Sequence, residues 1–87
     1  MHELITLIPV SQLRCDGWEH ELDPEQLRKA AADLAEHGFR TPILVADDMS
    51  VLAGRVRVAA ARMLGMEYAP CLLESSVTEY FNRAAAD

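Results

Sequence analysis

Three glycines set the frame of this chain, because each stands where a helical pattern stops or starts. Gly38 follows Leu27, Ala30, Ala31, Leu34 and Ala35, apolar residues spaced to share one face of a helix. Gly54 precedes a second such pattern, Val56, Ala59, Ala60, Met63 and Leu64, and Gly65 follows it. Glycine enters the left-handed backbone region at no steric cost, so it ends helices and makes tight turns. The pieces left over are short, apolar and rich in β-branched residues: 4–10, 43–46, 51–53 and 68–73. They are too short for helices and read as strands. The chain is therefore expected to be α+β, a small mixed sheet flanked by about three helices.

Local signals refine this. Asp23-Pro24-Glu25-Gln26 is a helix start, with Asp23 as cap, Pro24 in the first turn and Gln26 completing a capping box. Pro9 places the end of the first strand at a sheet edge or a bend. Asp47-Asp48-Met49-Ser50 reads as the turn of an antiparallel hairpin. A last helix is expected from Ser76, with Glu79 in the capping-box position. Its apolar stripe, Val77, Tyr80, Phe81 and Ala84, packs on the core or serves as an interface with another molecule.

Length and charge bound the function. With 87 residues, one domain spanning 1–87 is expected, with a thin stability margin. A hydrophobic content of 51% with 25% charged residues is that of a folded globular protein. No apolar run approaches the ~20 residues that span a bilayer, and the start reads as mature structure, so a cytoplasmic location with no membrane partner is expected. The net charge is −6, from 14 acidic and 8 basic residues. Such a surface repels a DNA backbone, because duplex binding relies on many Lys and Arg displacing counterions. Cys15 and Cys71 are expected to be reduced and inert, and no pair has zinc-ligand spacing.

The segment that carries chemistry is Leu52-Ala53-Gly54-Arg55-Val56-Arg57. A strand meets a helix there through a glycine. The first amides of a helix lack intrahelical acceptors and carry the positive end of its dipole, which makes an anion site. An arginine in the first turn adds a forked contact to phosphate oxygens. Arg55 and Arg57 both lie within reach in sequence, but about 200° apart on an ideal helix, so both do not point into one pocket.

The order of these pieces resembles the ParB/sulfiredoxin superfamily over nearly the whole chain. Ile8-Pro9-Val10 is similar to that family's I-P-V start, and Gly38 with Pro42-Ile43-Leu44-Val45 to its G-x-x-x-P-I-x-V. The run from Gly54 to Gly65 has the length of the ParB pattern G-E-R-R-x-R-A-A-x-x-x-G, and Pro70 begins a strand as the family's V-P does. The resemblance implies a nucleotide ligand, CTP or ATP with Mg²⁺, bound by Gly54 and Arg57, with Arg55 secondary. Gly38 and Thr41 would border the same pocket. It also implies a role in plasmid, phage or chromosome maintenance.

Departures from the pattern matter equally. Arg55 stands where sulfiredoxin has its catalytic cysteine and ParB its glutamate, so sulfinic-acid reductase chemistry is not expected. Val56 and Ala59 replace ParB arginines, and neither the E-N-x-x-R box nor a helix-turn-helix is found in these residues. Three readings follow: a nucleotide- or phosphate-binding module; a nuclease or nucleotide hydrolase, for which no base can be named; and an interaction domain that kept the fold and lost the ligand. The interaction reading would use Val77, Tyr80 and Phe81 to bind itself or another protein. Val56, Val58 and Ala59 at polar motif positions favour it. Elsewhere, Asp47 and Asp48 read as turn formers rather than metal ligands, so no metal site is expected. Glu19, His20 and Glu21 read as a solvated loop, Trp18 as a loop anchor, and His37 as a partner of the helix dipole.

Overall fold

The computed structural model of the chain describes residues 4–15 and 22–86. Strand β1 (Ile5–Pro9) leads through a short 3₁₀ turn at Val10–Gln12 toward helix α1 (Pro24–His37). There follow β2 (Ile43–Val45), β3 (Val51–Ala53), helix α2 (Arg55–Met63), β4 (Tyr68–Leu73) and helix α3 (Glu74–Ala86). The four strands form one mixed sheet in the order β1-β4-β2-β3. β1 runs antiparallel to β4, β4 parallel to β2, and β2 antiparallel to β3. This is the α+β architecture that the glycine-bounded segments imply. Trp18, Glu19, His20 and Glu21 lie outside the described residues, as do the side chains of Tyr80 and Phe81.

Strand parity decides which side chains are buried. Ile8, Ile43, Val45, Val51, Ala69 and Cys71 point to one face, where they join Ala31 and Leu34 of α1 and Val58, Ala60 and Ala61 of α2. Ile43, Val45, Val58 and Cys71 are the largest of the completely buried side chains. The opposite parity places Ile5 beside Leu72, Leu7 beside Pro70 and Pro9 beside Tyr68. Among the described strand residues that face carries no charged side chain, and Ile5, Leu7 and Tyr68 are 40%, 66% and 53% exposed on it.

Several local expectations need correction. The buried face of α2 is Val58, Ala60 and Ala61, whereas Met63 and Leu64 are 59% and 41% exposed. Close packing of α2 on α1 explains the difference, because small alanines let two helices approach where longer side chains hold them apart. Ala35 is likewise exposed on α1. The Asp23 carboxylate caps α1 by accepting from the Glu25 amide at 3.0 Å, one residue short of Gln26. Helix α3 begins at Glu74, directly after β4, so Ser76 lies inside its first turn rather than at a cap. Glu74 at that end suits the helix dipole. Pro70 sits within β4, not at its start. The β2 ladder begins only at the Ile43–Cys71 pair, so at Pro70 the strand has a register partner on its β1 side alone. A missing N–H is tolerated at such a position.

The β2–β3 hairpin is closed by its acidic turn. Ser50 donates its amide to Asp48 Oδ1 at 2.9 Å, and Arg14 approaches Asp48 Oδ2 at 3.7 Å. The hydrogen bonds from Ser50 are the main cause that lowers the Asp48 pKa, with Arg14 assisting. A carboxylate depressed in the folded state stabilises the fold above its unfolded value, near 3.9, and loses that contribution as pH falls through the folded value. The acid limb of a stability–pH curve should therefore flatten in Asp48→Asn, which equilibrium unfolding between pH 5 and pH 2 will show. Ile43→Ala, which empties a fully buried site, should lower unfolding free energy by about 2–5 kcal/mol in urea titration.

Candidate functional site

Gly54 joins β3 to α2 with φ +102° and ψ 23°, a left-handed conformation that L side chains rarely adopt. A Cβ added there would lie 2.6 Å from Ile43 Cδ1 and 3.0 Å from Arg57 Nη2. Glycine is thus required twice, by the backbone angle and by the space. Val58 donates its amide to the Gly54 carbonyl at 3.0 Å, the first bond of the helix ladder. The amides ahead of it, at residues 55–57, belong to the helix start and have no acceptor inside the helix.

Arg57 folds back over this turn. Its Nη1 donates to both the carbonyl oxygen and the Oγ1 of Thr41, the latter at 2.7 Å. Its Nη2 reaches the Pro42 carbonyl at 3.5 Å, the long limit of a hydrogen bond. Local sequence explains why these acceptors are presented. A residue before proline is held extended, so Thr41 cannot continue a turn, and its carbonyl faces outward as the chain enters β2. Every one of these acceptors is neutral. Ion pairs join Arg14 to Asp48 and Arg40 to Asp33, and neither includes Arg57. A half-buried guanidinium is therefore held at the positive end of a helix with no carboxylate partner among the described residues.

Gly54, Arg57 and Thr41, drawn from three places in the sequence, are brought together. Arg55 is exposed at the first position of α2, and Gly38 lies at the other end of the 38–42 loop. There Gly38 closes α1 with φ +70° and an amide bond to the Leu34 carbonyl at 2.8 Å. Val58 is a core residue with no exposure, so its apolar character reflects packing and says nothing about a lost ligand. Val56 and Ala59 are half-buried. Val77, named for the partner interface, is half-buried on α3.

Two features of this region carry no sequence signal. The acceptors of Arg57 include main-chain carbonyls sixteen residues away, and backbone acceptors have no residue identity to read. Arg62, on the same helix, donates to Cys15 Sγ and, at 2.7 Å, to the Leu13 carbonyl, which ties residues 13–15 to α2. Cys71 is fully buried in β4, and that burial pushes its thiol pKa up, away from reactivity. Both cysteines are free. A groove of about 570 Å³ opens near the C-terminal end of α2, lined by Pro9, Arg62, Met66 and Tyr68 among others. It contains none of the residues that surround Gly54. Among the described residues no three His, Cys, Asp or Glu side chains group as metal ligands.

Comparison with known proteins places this geometry. No family model matches the chain. The ParB-like nuclease domain-containing protein YnaK of Escherichia coli (strain K12) is 31% identical over 55 residues, 63% of this chain and 63% of that protein. The match thus spans less than two thirds of the relative's length. Sulfiredoxin from Arabidopsis thaliana superposes with a TM-score of 0.71 at 20% identity, over 80% of this chain and 83% of that one. The C-terminally truncated chromosome-partitioning protein ParB from Caulobacter crescentus, complexed with CTP-gamma-S, gives 0.69 at 24% identity, over 80% of this chain and 43% of that one. The chain has the fold of the ParB/sulfiredoxin superfamily. In sequence it is similar to YnaK over the 55 residues the two share.

Gly54→Ala must relieve both a positive φ and a contact with Ile43. It should cost about 1–3 kcal/mol of stability, read from the shift in urea midpoint. An alanine variant as stable as wild type would contradict the close packing at this turn.

Proposed function

We propose that this chain is a nucleotide- or phosphate-binding ParB-like module whose site is the turn at Gly54. One observation carries the reading: the Arg57 guanidinium sits at the start of α2 with only neutral acceptors, in a protein whose net charge is −6. Positive charge gathered at one helix start in an otherwise acidic protein calls for an anion. The amides of residues 55–57 would receive phosphate oxygens, and Arg57 would neutralise them while its bonds to Thr41 and Pro42 hold it in place. Arginine has five N–H donors, and the loop uses three of them, so donors remain for a ligand. Arg55 would add charge from the outer side. CTP and ATP are the first ligands to try, because the Caulobacter ParB that shares this fold is complexed with CTP-gamma-S. A cytoplasmic role in plasmid, phage or chromosome maintenance accords with the same likeness.

A second reading has its own observation. The uncharged outer face of the sheet, with Ile5, Leu7 and Tyr68 exposed, suits an interaction protein that binds itself or another chain. The Val77, Tyr80 and Phe81 stripe is the interface that this reading names on α3. The enzyme reading rests on the nuclease domain in the name of YnaK, and metal-dependent turnover of DNA or nucleotide would establish it.

Calorimetric titration with CTP, ATP and GTP separates these. Saturable binding should weaken about ten- to a hundredfold in Arg57→Ala, the effect of losing a charge-assisted phosphate contact worth roughly 1.5–3 kcal/mol. Arg57→Lys keeps the charge but loses the fork, and should fall between the two. Absence of heat with every nucleotide, combined with concentration-dependent self-association in sedimentation, would replace the module with the interaction protein.

A further inference from the structure

The ParB-type likeness brings with it the expectation of Mg²⁺ beside the nucleotide, and the residues around Gly54 can be tested against that ion. Mg²⁺ takes hard oxygen ligands in octahedral geometry, in nucleotide sites typically one or two carboxylates together with phosphate oxygens and waters. The side chains gathered at this turn are of the opposite kind. Arg57 lies over Gly54, and Arg55 opens the helix. The hydroxyl present is Thr41 Oγ1, which already accepts from Arg57 Nη1 at 2.7 Å. A dication on that oxygen would lie against a guanidinium, and the helix dipole would repel it further. The carboxylate of Asp33 on α1 is engaged by Arg40 at 3.0 Å. Asp47 and Asp48 sit in the turn at the far end of the β2–β3 hairpin, where Asp48 is held by Ser50 and Arg14. Among the described residues, the donor set at this turn fits an anion and does not fit a metal ion.

We infer that the Gly54–Arg57 site takes phosphate as the bare anion, with the Arg57 guanidinium and the helix amides supplying the neutralisation that a divalent cation supplies elsewhere. The inference rests on the anion-binding reading and narrows it. Its chemical consequence is a ligand class: free phosphate, phosphomonoester or uncomplexed nucleotide, in preference to the Mg²⁺–nucleotide chelate. Chelation lowers the net negative charge of a triphosphate and occupies the oxygens that the amides and Arg57 would bind. The chelate should therefore be the poorer ligand.

The test is a pair of titrations of the full chain at matched ionic strength, one with ATP or CTP in EDTA and one with Mg²⁺ saturating the nucleotide. Inorganic tripolyphosphate serves as a probe without a base. The expected result is tighter binding in EDTA than in Mg²⁺, by up to about tenfold. Arg57→Ala should abolish most of the EDTA binding while remaining folded by circular dichroism. If that variant proves unfolded, Arg57→Lys, which keeps the charge and loses the fork, should still weaken binding in EDTA several-fold. Binding that appears only with Mg²⁺, or is equal or weaker in EDTA, overturns this inference and leaves the anion site standing. No binding under either condition overturns both.

Discussion

The grip of Arg57 on the entrance to β2 is the contact around which this small fold is arranged at the Gly54 turn. A guanidinium from the first turn of α2 reaches across Gly54 to Thr41 and Pro42 and so holds three segments together. Gly54 has to lack a side chain for that reach to exist, since a Cβ would meet both Arg57 and Ile43. Ile43 in turn is completely buried and begins the β2 ladder against Cys71. The turn, the loop ahead of β2 and the core are therefore coupled. In a chain with a thin margin of stability, a charge at the surface end of the core is fixed by the core itself.

That coupling also shapes the electrostatics. Arg57 is not solvated like most surface arginines, nor neutralised by an acid among the described residues. It is held by carbonyl and hydroxyl oxygens beside a helix N-terminus. A site built this way is pre-organised for an incoming anion, because the cation has already lost its rotamer freedom before the ligand arrives. The acidic remainder of the molecule limits how far such a site attracts polyanions, which favours a small phosphate ligand over the continuous backbone of DNA.

Much of the architecture is legible in the residues. Gly38, Gly54 and Gly65 mark helix ends by a backbone preference that needs no tertiary context, and all three take positive φ. Asp23-Pro24 starts α1 for the same local reason. What could not be read is decided by packing between distant segments. The burial of Val58 in place of Met63 follows from how closely α1 approaches α2, and periodicity alone cannot set that rotation. The start of α3 at Glu74 follows from a strand running directly into a helix, which a cap signal at Ser76 obscured. At the site, Gly54 and Arg57 stood out as residue types, but the acceptors that fix Arg57 are partly main-chain oxygens. The bond from Arg62 to the segment before α1 was likewise invisible, since it links residues 47 positions apart.

The central claim is that an anion binds at the Gly54 turn, and the most direct measurement is a residue-resolved NMR titration of the labelled chain with inorganic phosphate. The account predicts saturable amide shifts centred on Gly54, Arg55, Val56 and Arg57, with Thr41 responding through its bond to Arg57. Shifts centred instead on the groove at Arg62, Met66 and Tyr68, or no shifts up to high phosphate, would contradict it.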